Sequence, residues 1–251
     1  MSGLIPQPFI SRRALGACMT LLMLTVYVPV TQAALTVGAT RIVFASDKRS
    51  TSVIVANPSD RPYAVQTWVN TASDDTTTAV PFIPSPPLFR LNPGKEQQVQ
   101  INGLPATLPS DRESLFYFNV QEIPQVAGDE SNALNIALRT RIKLFYRPVQ
   151  IKENPVASLK NLQWSIKDVK GQPHLIVNNP TPFHVSFARI EVTGDGHKQA
   201  IQNAAMVEPL SSQTFALKAA KSSHGLHVVF SAINDYGGYS VPLTVPIQLA
   251  P

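Results

Sequence analysis

The side chains best suited to catalysis or metal binding are sparse in this chain of 251 residues and lie far apart. All five histidines fall in the second half of the sequence: His174, His184, His197, His224 and His227. The closest pair is three positions apart, so a strand would place the two rings on opposite faces. The sequence contains no G-x-S-x-G, no H-E-x-x-H and no glycine-rich phosphate loop. We therefore predict no catalytic residue, no metal and no cofactor, and expect a protein that is not an enzyme.

One strand-like segment, NALNIALRTRIKLFYRP at 132–148, combines an apolar ridge with a run of cations. Three apolar side chains share one face, because side chains alternate along a strand: Leu134, Ile136 and Leu138. The same segment continues into Arg141, Lys143 and Arg147. Cations that are buried without partners cost free energy. On these residues alone, the ridge indicates one face of a sandwich core and the cations an ordinary surface.

Composition and periodicity predict that the chain is all-β, so that strands position these residues. Proline accounts for 22 of 251 residues and charged residues for 15%, against averages of roughly 5% and 25%. No long window shows the 3.6-residue period of an amphipathic helix. Strand-like segments instead follow one another at the short spacing of β-sandwiches. In the first half they lie at 35–45, 50–57, 63–70, 95–102, 114–123 and 133–146, with a short one near 81–83.

Strand-like segments follow at a similar spacing in the second half, with predicted strands at 159–166, 174–179, 184–192, 213–218, 226–233 and 241–249. Two consecutive sandwiches of roughly a hundred residues each fit this pattern better than one barrel. Pro148 and Pro155 bracket a segment without alternation, so we predict domains at 34–150 and 151–251. Trp68 is expected to be the buried tryptophan of the first sandwich. The proline-rich segment 85–96 is expected to be mostly loop.

The first 33 residues have the pattern of a secretory signal peptide. Arg12 and Arg13 precede an apolar run, and the small-residue sequence TQA precedes Ala34. We predict cleavage between Ala33 and Ala34. The twin arginines also fit a Tat address. A lipoprotein box ending at Cys18 fits less well, because most of the apolar run follows that cysteine.

The predicted mature chain has no cysteine, since Cys18 is the only one, and its formal charge falls from +5 to +3 with the loss of two arginines. An exported protein of this kind needs cores large enough to do without disulfides. The signal pattern predicts export to the periplasm. No second apolar run approaches about 20 residues, so we predict no membrane anchor. Blocks of Lys and Arg interleaved with aromatic residues are missing from the sequence, so no nucleic acid partner is expected.

Four phrases, in this order, resemble the PapD-like periplasmic chaperones of pilus assembly: DRESLFYFNVQEIP at 111–124, ALNIALRTRIKLFYRP at 133–148, NNPTPF at 178–183 and INDYGG at 233–238. The resemblance covers essentially all of the predicted mature chain. It implies two consecutive immunoglobulin-like β-sandwich domains arranged as a boomerang with a cleft between them. It also implies a chaperone that binds pilin (fimbrial) subunits by donor-strand complementation and delivers them to an outer-membrane usher.

The resemblance further implies a role for particular residues. Two cations would hold the C-terminal carboxylate of the pilin subunit: Arg41 and Lys143. The apolar ridge would fill the groove of an incomplete subunit: Leu134, Ile136 and Leu138. A charged network would tie the two domains together: Glu113, Arg147 and Asp235. The link at 124–132 is short and has no cysteine pair, which is similar to the short-loop branch of the family that builds rod-like pili.

Two other classes of function stay open on the sequence. An exported pilus subunit or adhesin would also be all-β, but it should carry a donor segment near its mature N-terminus and often a disulfide. A periplasmic ligand-binding sandwich would need clustered His or Met, whereas Met206 is the only methionine after Ala33. An exposed alternating edge is an aggregation hazard, so self-association of the free protein also stays open.

Overall fold

The computed structural model describes residues 35–75, 77–124, 136–194, 197–218 and 225–249. Within these ranges the regular structure is almost entirely β-strand, which confirms the predicted all-β class. No helix in the described ranges is long and apolar enough to cross a membrane. The predicted signal peptide and its cleavage site, Leu134 of the ridge and most of the link at 124–132 lie outside the described residues.

Within the described residues, nine strands form the first sandwich: β1 (Thr36–Val37), β2 (Arg41–Ala45), β3 (Ser50–Ala56), β4 (Tyr63–Asn70), β5 (Phe82–Ser85), β6 (Leu88–Leu91), β7 (Glu96–Gly103), β8 (Ser114–Pro124) and β9 (Arg139–Arg147). One sheet has the order β1-β3-β7-β5 and the other β2-β9-β8-β4-β6. Alternating apolar residues such as Val99, Ile101 and Phe118 are fully buried between the sheets. This alternation produces the core, because every second side chain of a strand points to the same face.

The first predicted strand is divided in the structure, and the division positions the candidate site. We predicted a single strand at 35–45, but β1 pairs with β3 whereas β2 pairs with β9 of the opposite sheet. The chain changes sheets around Gly38, whose amide donates to the Ile54 carbonyl at 2.9 Å. After the change, β2 runs parallel to β9, and Arg41 becomes the cross-strand neighbour of Lys143.

The second sandwich has eight strands in the part of the chain that the structure describes: β10 (Gln163–Val169), β11 (Gln172–Asn179), β12 (Phe187–Gly194), β13 (His197–Ala200), β14 (Ser211–Ala216), β15 (His227–Ala232), β16 (Leu243–Pro246) and β17 (Gln248–Leu249). Their sheets have the orders β14-β11-β10-β17 and β13-β12-β15-β16. Trp164 lies at the centre of this core. The centroid of its ring is 5.6 Å from that of Phe187 and 5.1 Å from that of Phe230. The chain therefore consists of two consecutive immunoglobulin-like sandwiches, as predicted.

A short helical segment connects the two sandwiches. Helix α1 (Pro155–Ser158) leads into a 3₁₀ turn at Leu159–Asn161. Asn154 caps α1 by accepting a hydrogen bond from the Ala157 amide at 3.0 Å, and proline occupies the first helical turn, where no donor is lost. The domain boundary predicted at residue 150 stays a prediction.

Two local predictions were wrong. Trp68 is only half-buried and lies on the outer face of its sheet, because Thr67 and Val69 take the inward positions of β4. The core tryptophan is Trp164, in the second sandwich. The segment 85–96 contains strand β6, which pairs with β4 because its prolines lie before and after the strand rather than within it.

Candidate functional site

Arg41 and Lys143 lie side by side where the two sandwiches meet. Their Cα atoms are paired in the parallel β2–β9 ladder, so both side chains leave the sheet on the same face. The Arg41 Nη1 donates to the Ile233 carbonyl at 3.0 Å, and the Lys143 Nζ donates to the Ser186 hydroxyl at 2.8 Å. Both acceptors belong to the second sandwich. The two cations of the first sandwich therefore face the second.

The electrostatics of this pair favour an anionic partner. Burial lowers the pKa of Lys143, and the neighbouring charge of Arg41 lowers it further. Burial also lowers the pKa of Arg41, against the attraction of Asp235 and Glu113. In the described part of the chain, no carboxylate oxygen lies within 4.0 Å of a nitrogen of Arg41 or Lys143. The buried Arg41 Nε has no hydrogen-bond partner there either. A bound carboxylate would stabilise both charged forms.

Arg147 lies at the centre of a separate charged network. Its Nη1 and Nη2 donate to the two carboxylate oxygens of Asp235 at 2.7 and 2.9 Å, a bidentate pair between the sandwiches. Its Nε donates to Glu113 at 2.8 Å. Although burial lowers the pKa of Arg147, the hydrogen bond and charge of Asp235 together with Glu113 outweigh it and raise the pKa.

Glu113 also binds the second sandwich directly. Its Oε2 accepts from the His184 amide at 2.8 Å and lies 3.2 Å from the His184 ring Nδ1. The Glu113 amide donates to the Pro182 carbonyl at 2.9 Å. Since these groups satisfy one another, the network is suited to fixing the orientation of two domains rather than to binding a ligand.

The loop that carries Asp235 is itself fixed against the first sandwich. Gly237 has a φ of +85°, and a side chain there would collide with Thr40, the residue before Arg41. The Asn234 carboxamide oxygen accepts from the amides of Tyr236 and Gly238, each at 3.0 Å. Glycine is therefore required both for the turn and for the close approach to the cation pair.

On the N-terminal side of Lys143, one edge of β9 has no neighbouring strand in the described residues. β8 pairs with β9 from Arg139 to Tyr146, whereas β2 pairs only with 143–147. Just before this edge, Ile136 and Leu138 are 59% and 49% exposed. The structure thus places two of the three ridge residues next to an open edge, on the side of Lys143 away from Arg147. Such an edge is a template for pairing with another strand.

The contacts of Arg139 and Arg141 on the outer face of β9 were not predicted from the sequence. The Arg141 guanidinium lies 3.7 Å from the centroid of the Tyr117 ring, and its Nη2 donates to the Thr71 carbonyl at 2.6 Å. Arg139 donates to Asn119 at 3.0 Å and binds Asp74 through both terminal nitrogens. Hydrogen bonds from Arg139 and Asn70 lower the pKa of Asp74 to about 2. Arg141 therefore has local partners and is not part of the cation pair.

Comparison with known proteins gives a consistent result over both sandwiches. Residues 34–152 match the family model described as "Pili and flagellar-assembly chaperone, PapD N-terminal domain", and residues 157–242 match "Pili assembly chaperone PapD, C-terminal domain". The chain is 37% identical over 215 residues to the chaperone protein PapD of Escherichia coli, covering 83% of this chain and 85% of that protein.

Solved structures of similar proteins agree with these matches. The crystal structure of the YadV chaperone, a protein of Escherichia coli strain K12, aligns with a TM-score of 0.73 at 33% identity and covers 85% of this chain and all of that one. A chain from the complex of the Salmonella enterica SafA pilin with the SafB chaperone aligns with a TM-score of 0.73 at 28% identity, covering 85% of this chain and 96% of that one.

Proposed function

Because this chain belongs to the PapD family of pilus-assembly chaperones, we propose that it binds pilin subunits by donor-strand complementation and delivers them to an outer-membrane usher. The family consists of periplasmic chaperones rather than enzymes. The observation that carries the proposal is the pairing of Arg41 with Lys143 in the β2–β9 ladder, next to the open edge of β9. This arrangement offers a charge anchor and a strand template on the same element.

The cation pair is proposed to bind the C-terminal carboxylate of the pilin. Two fixed donors can give a carboxylate charge-assisted hydrogen bonds that are worth about 1.5–3 kcal/mol each. Arg41 and Lys143 each have one described hydrogen bond to the second sandwich, and Lys143 has three donors. Donor capacity is therefore left for a ligand.

The ridge is proposed to fill the groove of the pilin while the open edge of β9 pairs with its strand. Leu138 precedes Lys143 by five residues, a distance of about 17 Å along an extended strand. An anchor at Lys143 therefore determines which client side chain meets Leu138, Ile136 and Leu134. Register matters here, because a slip of one residue turns every side chain to the wrong face.

Two further roles complete the proposal. Glu113, Arg147 and Asp235 hold the two sandwiches in the orientation that the anchor needs. Residues 1–33 act as a signal peptide that directs export to the periplasm, and cleavage leaves Ala34 as the first residue of the mature chain.

The test is co-purification of the periplasmic chain with a co-expressed pilin subunit. We expect Lys143→Ala to reduce the recovered pilin at least tenfold, because each charge-assisted bond that is lost costs at least about 1.5 kcal/mol. Lys167→Ala is the matched control, since Lys167 is an exposed lysine on β10. Full recovery of pilin with folded Lys143→Ala would contradict the proposed anchor.

A further inference from the structure

Glu122 is a buried carboxylate that the proposed client site does not use. It follows Phe116, Phe118 and Val120 in the inward-facing row of β8 and is only 5% exposed. Its cross-strand neighbour on β4 is Val65, which is fully buried. A charged group at the end of an apolar row needs a strong partner, because burial removes its hydration.

The described partner of this carboxylate is a single neutral donor. The Leu35 amide donates to the Glu122 Oε2 at 3.2 Å. In the described part of the chain, no nitrogen of Lys, Arg or His lies within 4.0 Å of its carboxylate oxygens. One amide compensates only part of the hydration that a carboxylate loses.

Leu35 is also the second residue of the proposed mature chain. A single residue spans no more than about 3.6 Å, so the nitrogen of the preceding residue must lie within that distance of the Leu35 nitrogen. In the precursor this nitrogen is a neutral amide. Hydrolysis of the Ala33–Ala34 peptide bond adds water, leaves a carboxylate on Ala33 and frees an amine on Ala34. That amine takes up a proton at neutral pH, since α-amino groups have a pKa of about 7.7–8.0.

We propose that Glu122 is the binding site for the α-ammonium of Ala34, so that removal of the signal peptide completes a buried ion pair at the end of the first core. The inference rests on the proposed export and on cleavage before Ala34. The precursor lacks this ion pair and is less stable as a folded protein.

The first experiment measures the α-amino group of the mature periplasmic protein. Intact mass and N-terminal sequencing establish which residue is first, and the pH dependence of acetylation of the amine gives its pKa. We expect a pKa at least one unit above the usual 7.7–8.0, since a carboxylate partner stabilises the charged form. Glu122→Gln should return the pKa to that range, because the amide keeps the shape of the side chain but not its charge. Glu96→Gln, which removes an exposed carboxylate on β7, should leave the pKa unchanged.

The second experiment displaces the ammonium instead of removing the carboxylate. A protein with one glycine retained before Ala34 should have an unfolding equilibrium constant about tenfold larger, and so should Glu122→Gln. The two changes together should have no larger effect, because both remove the same ion pair. Additive losses, or an unshifted pKa on a confirmed Ala34 terminus, would overturn the inference and leave the chaperone function intact. A different first residue would overturn both the cleavage site and the inference, while pilin capture would still test the chaperone function separately.

Discussion

Lys143 and the client carboxylate can be tested as a pair. We expect Lys143→Ala to weaken binding of a C-terminal pilin peptide by about ten- to a hundredfold, and amidation of the peptide to do the same, because either change removes one charge-assisted contact. The two losses should not add. The measurement is a double-mutant cycle by calorimetry. Full additivity would mean that Lys143 and the carboxylate do not meet.

Asp74 provides a second test at the level of single residues. Its pKa is lowered from 3.8 to about 2, first by the hydrogen bond from Arg139. Since the folded pKa lies below the unfolded one, the contribution to stability is present above about pH 4 and is lost as the pH falls towards 2. We expect Arg139→Gln to raise the pKa of Asp74 towards 3.8. An NMR titration of the carboxylate measures this, and an unchanged pKa would show that Arg139 is not the cause.

At the level of elements, β9 and the residues just before it are proposed to serve two functions. The apolar ridge consists of even-numbered residues before the strand, whereas the proposed anchor, Lys143, is an odd-numbered residue within it. Residues 143–146 are paired on both sides, whereas 139–142 are paired only with β8 in the described structure. We expect Leu138→Glu to leave the chaperone folded, because Leu138 is 49% exposed, and to abolish capture of pilin, because a charge would enter an apolar groove. Circular dichroism and co-purification provide the measurements.

The matched control for this element is Leu88→Glu. Leu88 is 62% exposed on β6, at the opposite edge of the same sheet. It adds the same charge to an edge strand that the proposal does not involve. Normal pilin capture by Leu138→Glu, or equal loss with both variants, would show that the ridge is not the interface.

The strands of the first sandwich show which features of the fold could be predicted from the sequence. Alternation alone predicted β4 at 63–70, which the structure reproduces. It could not divide 35–45 into β1 and β2, because Gly38 changes sheets through a hydrogen bond to Ile54, a contact distant in sequence. The prediction that Trp68 lies in the core came from the immunoglobulin fold and not from alternation, which puts Trp68 on the same face as the exposed Gln66 and opposite Val65 and Thr67. Only the resemblance brought Arg41 and Lys143 together, since spacing does not predict parallel register. The structure pairs them in the β2–β9 ladder, and their binding of a carboxylate stays a prediction.

For the whole molecule, the relation between the sandwiches depends on Arg147. Its guanidinium connects Glu113, whose side chain is 2% exposed, with Asp235 of the second sandwich. We expect Arg147→Leu to lower the free energy of unfolding by about 3–5 kcal/mol, because it leaves Glu113 buried without its counter-charge. Urea denaturation, with the two sandwiches monitored separately by Trp68 and Trp164 fluorescence, provides the measurement.

A second variant separates the cost of the unpaired charge from loss of the network itself. In Glu113→Gln with Arg147→Leu, no buried charge is left at Glu113, so we expect most of the stability to return. Pilin capture should stay low in the double variant, since the orientation of the Arg41–Lys143 pair against Ser186 and Ile233 would no longer be fixed. Recovery of both stability and capture would show that the network does not set the orientation used for binding, whereas recovery of stability alone would support that role.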